Sequence, residues 1–373
     1  MSEALEPFQK DGISREAIEE SLKAARRRRT DGVYKVLLYN SSIYVDTSQP
    51  GDGYEGFRSS GAFLTLVNLL CKQRGLPNVE FVYNMHDQPC MPRDGPLLPV
   101  LGWSTSALHL DIPVPYHWSW VHIPPNSSSV RVSFNATEWE GRASRAVWRG
   151  STTGCPNPSD GWCMNTLENW NTTARVRLVQ MCKRRPDLCD AAFTGLAQAG
   201  AAVEAAMRHE LRFVRSSKSE DLIKQYKYLL VPRGNGPPSS RSLQALRAPA
   251  VPLWQQTEEA EFFYPALRPY VHYIPLARGL EDLYSAIEWA QQHPAACMRI
   301  IRAGQAWARR YIHSEFANSY LHALLVEYAR LQRFQPTVTA GYQRLKVDAG
   351  QVATVEKTTG GCRAGWTVGV DTG

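Results

Sequence analysis

The sequence predicts an α/β protein made of two α/β units in series. Three observations carry this. Apolar strand-like runs alternate with amphipathic helical stretches, the alternation restarts near residue 146, and 373 residues suffice for about two domains with full cores. The expected division is 8–142, 143–334 and a weakly ordered tail over 335–373.

The first helix opens at Ser14, a good N-cap, with Ile13 and Ile18 placed as a hydrophobic staple and Ile18, Leu22 and Ala25 on one face. It ends in Arg26, Arg27, Arg28 and Arg29, where positive charge suits the helix dipole; a solvated helix end and a localisation or nucleic-acid patch are both compatible with this run. Runs 34–39 and 43–45 form a hairpin-like pair around Asn40-Ser41-Ser42. A helix is expected over about 60–74, with Phe63, Val67 and Leu70 at helical spacing and Gly75 as its stop. Strand 79–84 follows and releases the chain at its carboxyl end into His86-Asp87, where open α/β sheets place their sites. Residues 91–142 read as loops and short strands around Trp103, Trp118 and Trp120.

The second alternation begins with strand 146–151, followed by a turn-rich insertion at 154–169 and a helix from about Asn171 to Arg184. A helix near 195–210 leads to strand 226–231, a Gly/Pro/Ser turn and a helix from about Ser240. Strands 249–254 and 272–276 precede three amphipathic helices that end near Phe334.

Composition narrows the function classes. No stretch approaches about 18 apolar residues, and MSEALEPFQK has neither a basic n-region nor an apolar h-region, so neither a membrane span nor a signal peptide is expected in this chain. The net charge of +7 attracts anions without naming them. Only Arg26 to Arg29 offer a basic cluster, so no nucleic-acid partner is expected. The eight cysteines show no zinc spacing, and no metal is expected. Cys155 and Cys163 bracket a turn and are either a local disulfide or two thiols. Sequons begin at Asn40, Asn126, Asn135 and Asn171, and they matter only in the secretory pathway.

The strongest local motif runs from Arg233 to Arg241, RGNGPPSSR, between an apolar strand and a helix. Small residues let backbone N–H groups approach an anion, the helix start offers unpaired donors, and Arg241 adds a fork matched to phosphate oxygens. An ordinary βα loop with a solvated arginine fits the same spacing. Arg149-Gly150-Ser151 repeats the layout, with Arg175 and Arg177 at the start of the next helix. Glu261 follows a strand and is suited either to ribose hydroxyls or to an exposed position beside aromatic residues.

The segments FVYNMHDQP (81–89), WRGS (148–151), AR (174–175) before PDLCDA (186–191), YKYLLVPRG with SSR (226–241) and EFFYPALRPYVHYIPL (261–276) resemble glycosyltransferase family 90. That family includes the Rumi-type protein O-glucosyltransferases of the endoplasmic reticulum and the fungal capsule-associated xylosyltransferases. The resemblance implies a GT-B fold, two Rossmann-like domains facing across a cleft with C-terminal helices. It also implies a secretory-lumen enzyme that transfers glucose or xylose from a UDP-sugar to a protein serine or glycan hydroxyl, with inversion and without a metal. By its motifs Asp87 matches the catalytic base, while Ser151, Arg175 and Arg241 match donor-binding positions and Ser239 and Ser240 the loop around the diphosphate. Glu261 falls in a matching motif. His86 stands where the glucosyltransferases carry arginine, and His86 and Trp103 are the acceptor-side candidates. The insertion after Ser151 leaves Arg177 as a competitor of Arg175. The alternative is a non-catalytic nucleotide-sugar-binding relative of the same fold.

Overall fold

The structure, a computed structural model, describes residues 2–28, 32–46, 63, 67, 70–116, 134–154, 164–215, 219–238, 240–346 and 354–355. Most of the helix expected over 60–74, the Cys155/Cys163 pair, Asn126, Trp118, Trp120 and Ser239 lie outside the described residues. The chain divides into two compact units, Met1–His122 with Ser314–Gly373, and Ile123–His313.

In the first unit, Ser14 caps the helix Arg15–Arg28 by accepting from Ala17 N at 3.1 Å, and Ile18, Leu22 and Ala25 are buried. Strand Val33–Tyr39 pairs antiparallel with both Ser42–Asp46 and Val79–Asn84. The hairpin turn places Asn40 and Ser41 at φ 46° and 59°, the left-handed pair that a two-residue hairpin with matching twist requires. Val79–Asn84 then pairs parallel with Val100–Gly102, and that strand with Ile112–Pro113. The sheet is therefore mixed. Its central strand Val79–Asn84 is buried on both faces.

Two expectations are corrected here. Helix Ser314–Leu331, expected to belong with the second domain, buries Leu321, Leu324, Leu325 and Tyr328 in the core of the first unit. Part of the expected weakly ordered tail is a strand, Tyr342–Lys346, antiparallel to Ser42–Asp46. Helical periodicity shows that a stripe must be covered; it does not show which core covers it. The return is tied to the central strand by polar groups. The Gln332 amide accepts from Glu80 N at 3.2 Å and donates to Glu80 O at 2.6 Å, and the Tyr342 hydroxyl donates to Glu80 Oε1 at 2.8 Å.

The second unit is a five-stranded parallel sheet in the spatial order Ile274–Leu276, Val251–Gln255, Tyr226–Val231, Ala143–Ser151, Cys189–Gly195. Numbered along the chain this is the doubly wound order 2-1-3-4-5, which reverses between Ala143–Ser151 and Tyr226–Val231. Strand Cys189–Gly195 has no counterpart in the sequence reading, because CDAAFTG neither alternates nor runs apolar. Helix Ala174–Arg184 begins after Thr173, whose hydroxyl accepts from Val176 N, and a Cys182–Cys189 disulfide links its end to that strand. Among the described residues no helix is long and apolar enough to cross a membrane.

Candidate functional site

Doubly wound sheets bind ligands outside the carboxyl ends of their strands, where the strand order reverses. In the second unit that point lies between the ends of Ala143–Ser151 and Tyr226–Val231, the two turns singled out by sequence. Arg175, in the first turn of its helix, ties them together. Its Nε donates to Arg233 O at 3.0 Å, and its Nη1 donates to Ser151 O at 3.1 Å and to the Thr153 hydroxyl. Gly234 is required by this approach, since a Cβ there would meet Arg175 Nη2 at 2.7 Å. Arg177 instead points outward, with its side chain 49% exposed and 3.8 Å from Glu281.

The other arginines divide by role. Arg149 donates to Asp190 O and Oδ2 at 2.8 and 2.9 Å, which makes it part of the strand-pairing framework. Asp190 also takes up Arg212 and the Tyr226 hydroxyl; these donors outweigh burial and hold its carboxyl at about 2. Arg233 pairs with the buried Glu259. Arg241 differs: it lines a cavity of about 40 Å³ with Trp148, Arg149 and Val231, and among the described residues no carboxylate pairs with its guanidinium. Burial pushes its pKa down with no opposing partner. A desolvated cation without a counter-ion is costly unless an anion completes it.

Ser240 stands exposed at the first position of helix Ser240–Arg247, while Arg241 N bonds back to Pro238 O at 3.1 Å. Glu261 is 3% exposed, so the exposed alternative does not hold. Burial of the Tyr264 phenol, and after it the charge of Glu261, push the Tyr264 pKa up. Sequence reasoning missed a cavity of about 300 Å³ with Trp254, Thr257, Glu259, Tyr264, Tyr273 and Arg278 in its walls. The signal was present only as a run of aromatic residues around 254–273, which reads equally as core.

In the first unit Asp87 sits half-buried in the turn after Val79–Asn84, its carbonyl accepting from the Ser104 hydroxyl at 2.9 Å. His86 precedes it, with its N–H on Asn84 Oδ1 at 3.0 Å. Gly32 makes room for this turn: its φ is +67°, and a Cβ would meet Met85 Cγ at 2.7 Å and His86 Nε2 at 2.8 Å. Trp103, expected as a sugar or acceptor platform, is 7% exposed; its indole N–H donates to the Tyr83 hydroxyl and its ring meets Tyr116 edge-on. Placed in the core, it presents no open face to a sugar. Ser151, Arg175 and the Arg233–Gly234 turn are thus brought together, Arg241 lies at the same strand ends, and Trp103 is withdrawn.

Curated relatives include protein O-glucosyltransferase 2 of Danio rerio, 26% identical over 316 residues that make up 82% of this chain and 57% of that protein. Protein O-glucosyltransferase 1 of Rattus norvegicus is 25% identical over 362 residues, covering 92% of this chain and 82% of the relative. An uncharacterized protein 035R of Invertebrate iridescent virus 3 is 26% identical over 310 residues, 70% of this chain. The chain spans about a quarter of the viral protein and a little over half of the Danio rerio protein. Among solved structures, Anabaena HepE in complex with UDP-glucose aligns over 54% of this chain and 53% of its own at 12% identity and a TM-score of 0.36. The family model described as glycosyl transferase family 90 matches residues 1–360, nearly the whole sequence, and the chain therefore belongs to glycosyltransferase family 90.

Proposed function

We propose that the chain is an inverting glycosyltransferase that moves glucose or xylose from a UDP-sugar to a hydroxyl of a protein serine or a glycan. The observation that carries this reading is Arg241, a half-buried arginine that lines a cavity of about 40 Å³ and has no carboxylate partner among the described residues, at the reversal point of a doubly wound sheet. The relatives' name supports the protein acceptor and glucose.

The chemistry follows from charge. The acceptor oxygen forms a bond to the anomeric carbon on the face opposite the diphosphate, the bond from that carbon to the diphosphate oxygen breaks, and the acceptor proton passes to the Asp87 carboxylate. A positioned base of this kind contributes about 10² to 10⁴ in rate. Negative charge develops on the departing diphosphate, and Arg241 with the start of the helix at Ser240 stabilises it without a metal. Each such charge-assisted contact is worth roughly 1.5–3 kcal/mol. Ser151 and Arg175 shape the same pocket, Ser239 matches by sequence the family's diphosphate-binding residues, and the buried Glu261 accepts from ribose hydroxyls. The Cys182–Cys189 disulfide supports a home in an oxidising secretory lumen, such as the endoplasmic reticulum or Golgi.

The test is UDP release by the purified protein from a panel of UDP-sugars, with and without EDTA. Release from one donor that survives EDTA supports the reading and names the sugar. If UDP raises the melting temperature but no donor turns over, with or without added protein or glycan acceptors, the chain is a non-catalytic relative. Loss of release on EDTA treatment overturns the metal-free mechanism.

A further inference from the structure

We infer that Asp111 is a positioning residue, whose buried carboxylate fixes through backbone amides the turn that presents Asp87. This rests on the proposed role of Asp87 as base. Asp111 precedes strand Ile112–Pro113, two strands away from Val79–Asn84 in the sheet, yet it reaches the segment that follows Asp87. Cys90 N donates to both of its oxygens at 2.9 Å, and Met91 N donates to Oδ2 at 2.7 Å. Asn84, the last residue of the strand, bridges the turn from within. Its Nδ2 donates to Gln88 O at 3.0 Å, and its Oδ1 accepts from His86 N at 3.0 Å.

The result is a clamp on both sides of the base. Before Asp87, Met85 N is held by Gly32 O at 3.0 Å and His86 N by Asn84; at Asp87, the carbonyl is held by Ser104; after it, Cys90 and Met91 are held by Asp111. Residues 84 and 88–91 are buried, whereas Met85, His86 and Asp87 remain half-buried. Asp111 is 2% exposed, and its partners are amides and a thiol rather than a cation. Burial accordingly pushes its carboxyl up to about 6. Stability alone is better served at such a site by an apolar residue. A carboxylate here accepts several N–H donors at once and fixes the angle at which the turn leaves the strand.

The experiment compares Asp111→Asn, Asp87→Asn and the double variant in UDP release from UDP-glucose with water as acceptor, beside the UDP-induced shift in melting temperature. The amide keeps the shape and replaces one acceptor with a donor facing N–H groups. The expected result is a kcat loss of about 10²-fold, the size that a misplaced catalytic group produces, with KM for UDP-glucose and the UDP-induced shift unchanged. The double variant loses nothing beyond Asp87→Asn, because the two act as one unit. Full kcat in Asp111→Asn, a loss expressed in KM, or an additional loss in the double variant overturns the inference. If Asp111→Asn does not fold, Asp111→Ser carries the same test, since it removes the carboxylate and leaves one hydroxyl acceptor for the Cys90 and Met91 amides. Undiminished turnover in Asp87→Asn overturns the base assignment itself, and that outcome is distinct from full kcat in Asp111→Asn alone.

Discussion

At the end of Val79–Asn84 a buried carboxylate collects backbone N–H groups, whereas at the ends of Ala143–Ser151 and Tyr226–Val231 an arginine collects carbonyl oxygens. Both devices satisfy polar backbone that the strands can no longer pair. They leave opposite chemistry behind. In the first unit the amides are turned inward to Asp111, and Asp87 lies half-buried in the turn they fix. In the second, the carbonyls of Ser151 and Arg233, which would repel a diphosphate, are covered by Arg175, and a second guanidinium, Arg241, stands without a carboxylate among the described residues. The charge that holds a turn thus sets the charge that the turn can offer. On the proposed reading, one turn serves a proton acceptor and the other an anion.

Substitutions sharpen the contrast in order of expected effect. Asp87→Asn lowers kcat by about 10²- to 10⁴-fold and leaves UDP affinity intact, as followed by UDP release and calorimetric titration. Arg241→Ala raises the UDP dissociation constant by about 10- to 100-fold, the equivalent of roughly 1.5–3 kcal/mol. The same variant melts no lower than the wild type without ligand, because a desolvated cation has been removed; an unchanged dissociation constant breaks the comparison.

Asp190→Asn tests the framework beneath the second turn and lowers unfolding free energy by about 2 kcal/mol near neutral pH. The sign follows from a folded carboxyl held at about 2, below its ordinary value of 3.8. Its stabilisation is present above about pH 4 and is lost as pH falls toward 2, so the urea midpoints of variant and wild type converge in acid. Arg177→Ala, the smallest change, leaves UDP affinity and melting temperature where they were; a UDP loss matching that of Arg241→Ala would move the donor arginine to position 177.

Much of the second unit was legible in the sequence. YKYLLV gave its strand at Tyr226–Val231, the helix began at Ser240, and both Gly-containing turns fell at strand ends. The place of Asp87 in the turn after Val79–Asn84 was legible for the same reason, since a strand followed by polar residues marks a sheet's carboxyl edge. Asp111 and Asp190 were not, because a carboxylate in an aperiodic loop or an aperiodic strand looks the same whether it faces water or collects amides and arginines. Trp103 was misplaced by a related ambiguity, as an indole suits a sugar platform and a core equally well until its N–H partner, Tyr83, is known. The Cys182–Cys189 pairing was hidden too, because spacing alone leaves many connectivities open.

The return of Ser314–Leu331 and Tyr342–Lys346 to the first unit carries a consequence for biosynthesis. A ribosome delivers the chain from its N-terminus, and domains generally fold as they emerge. The nascent first unit, however, lacks its last helix and the strand Tyr342–Lys346 until all of Ile123–His313 has been made. The second unit is therefore complete first, although it comes later in the sequence. During that interval Glu80 waits on the central strand for Gln332 and Tyr342, and chaperones meet the protein with one unit closed and the other still missing its final pieces.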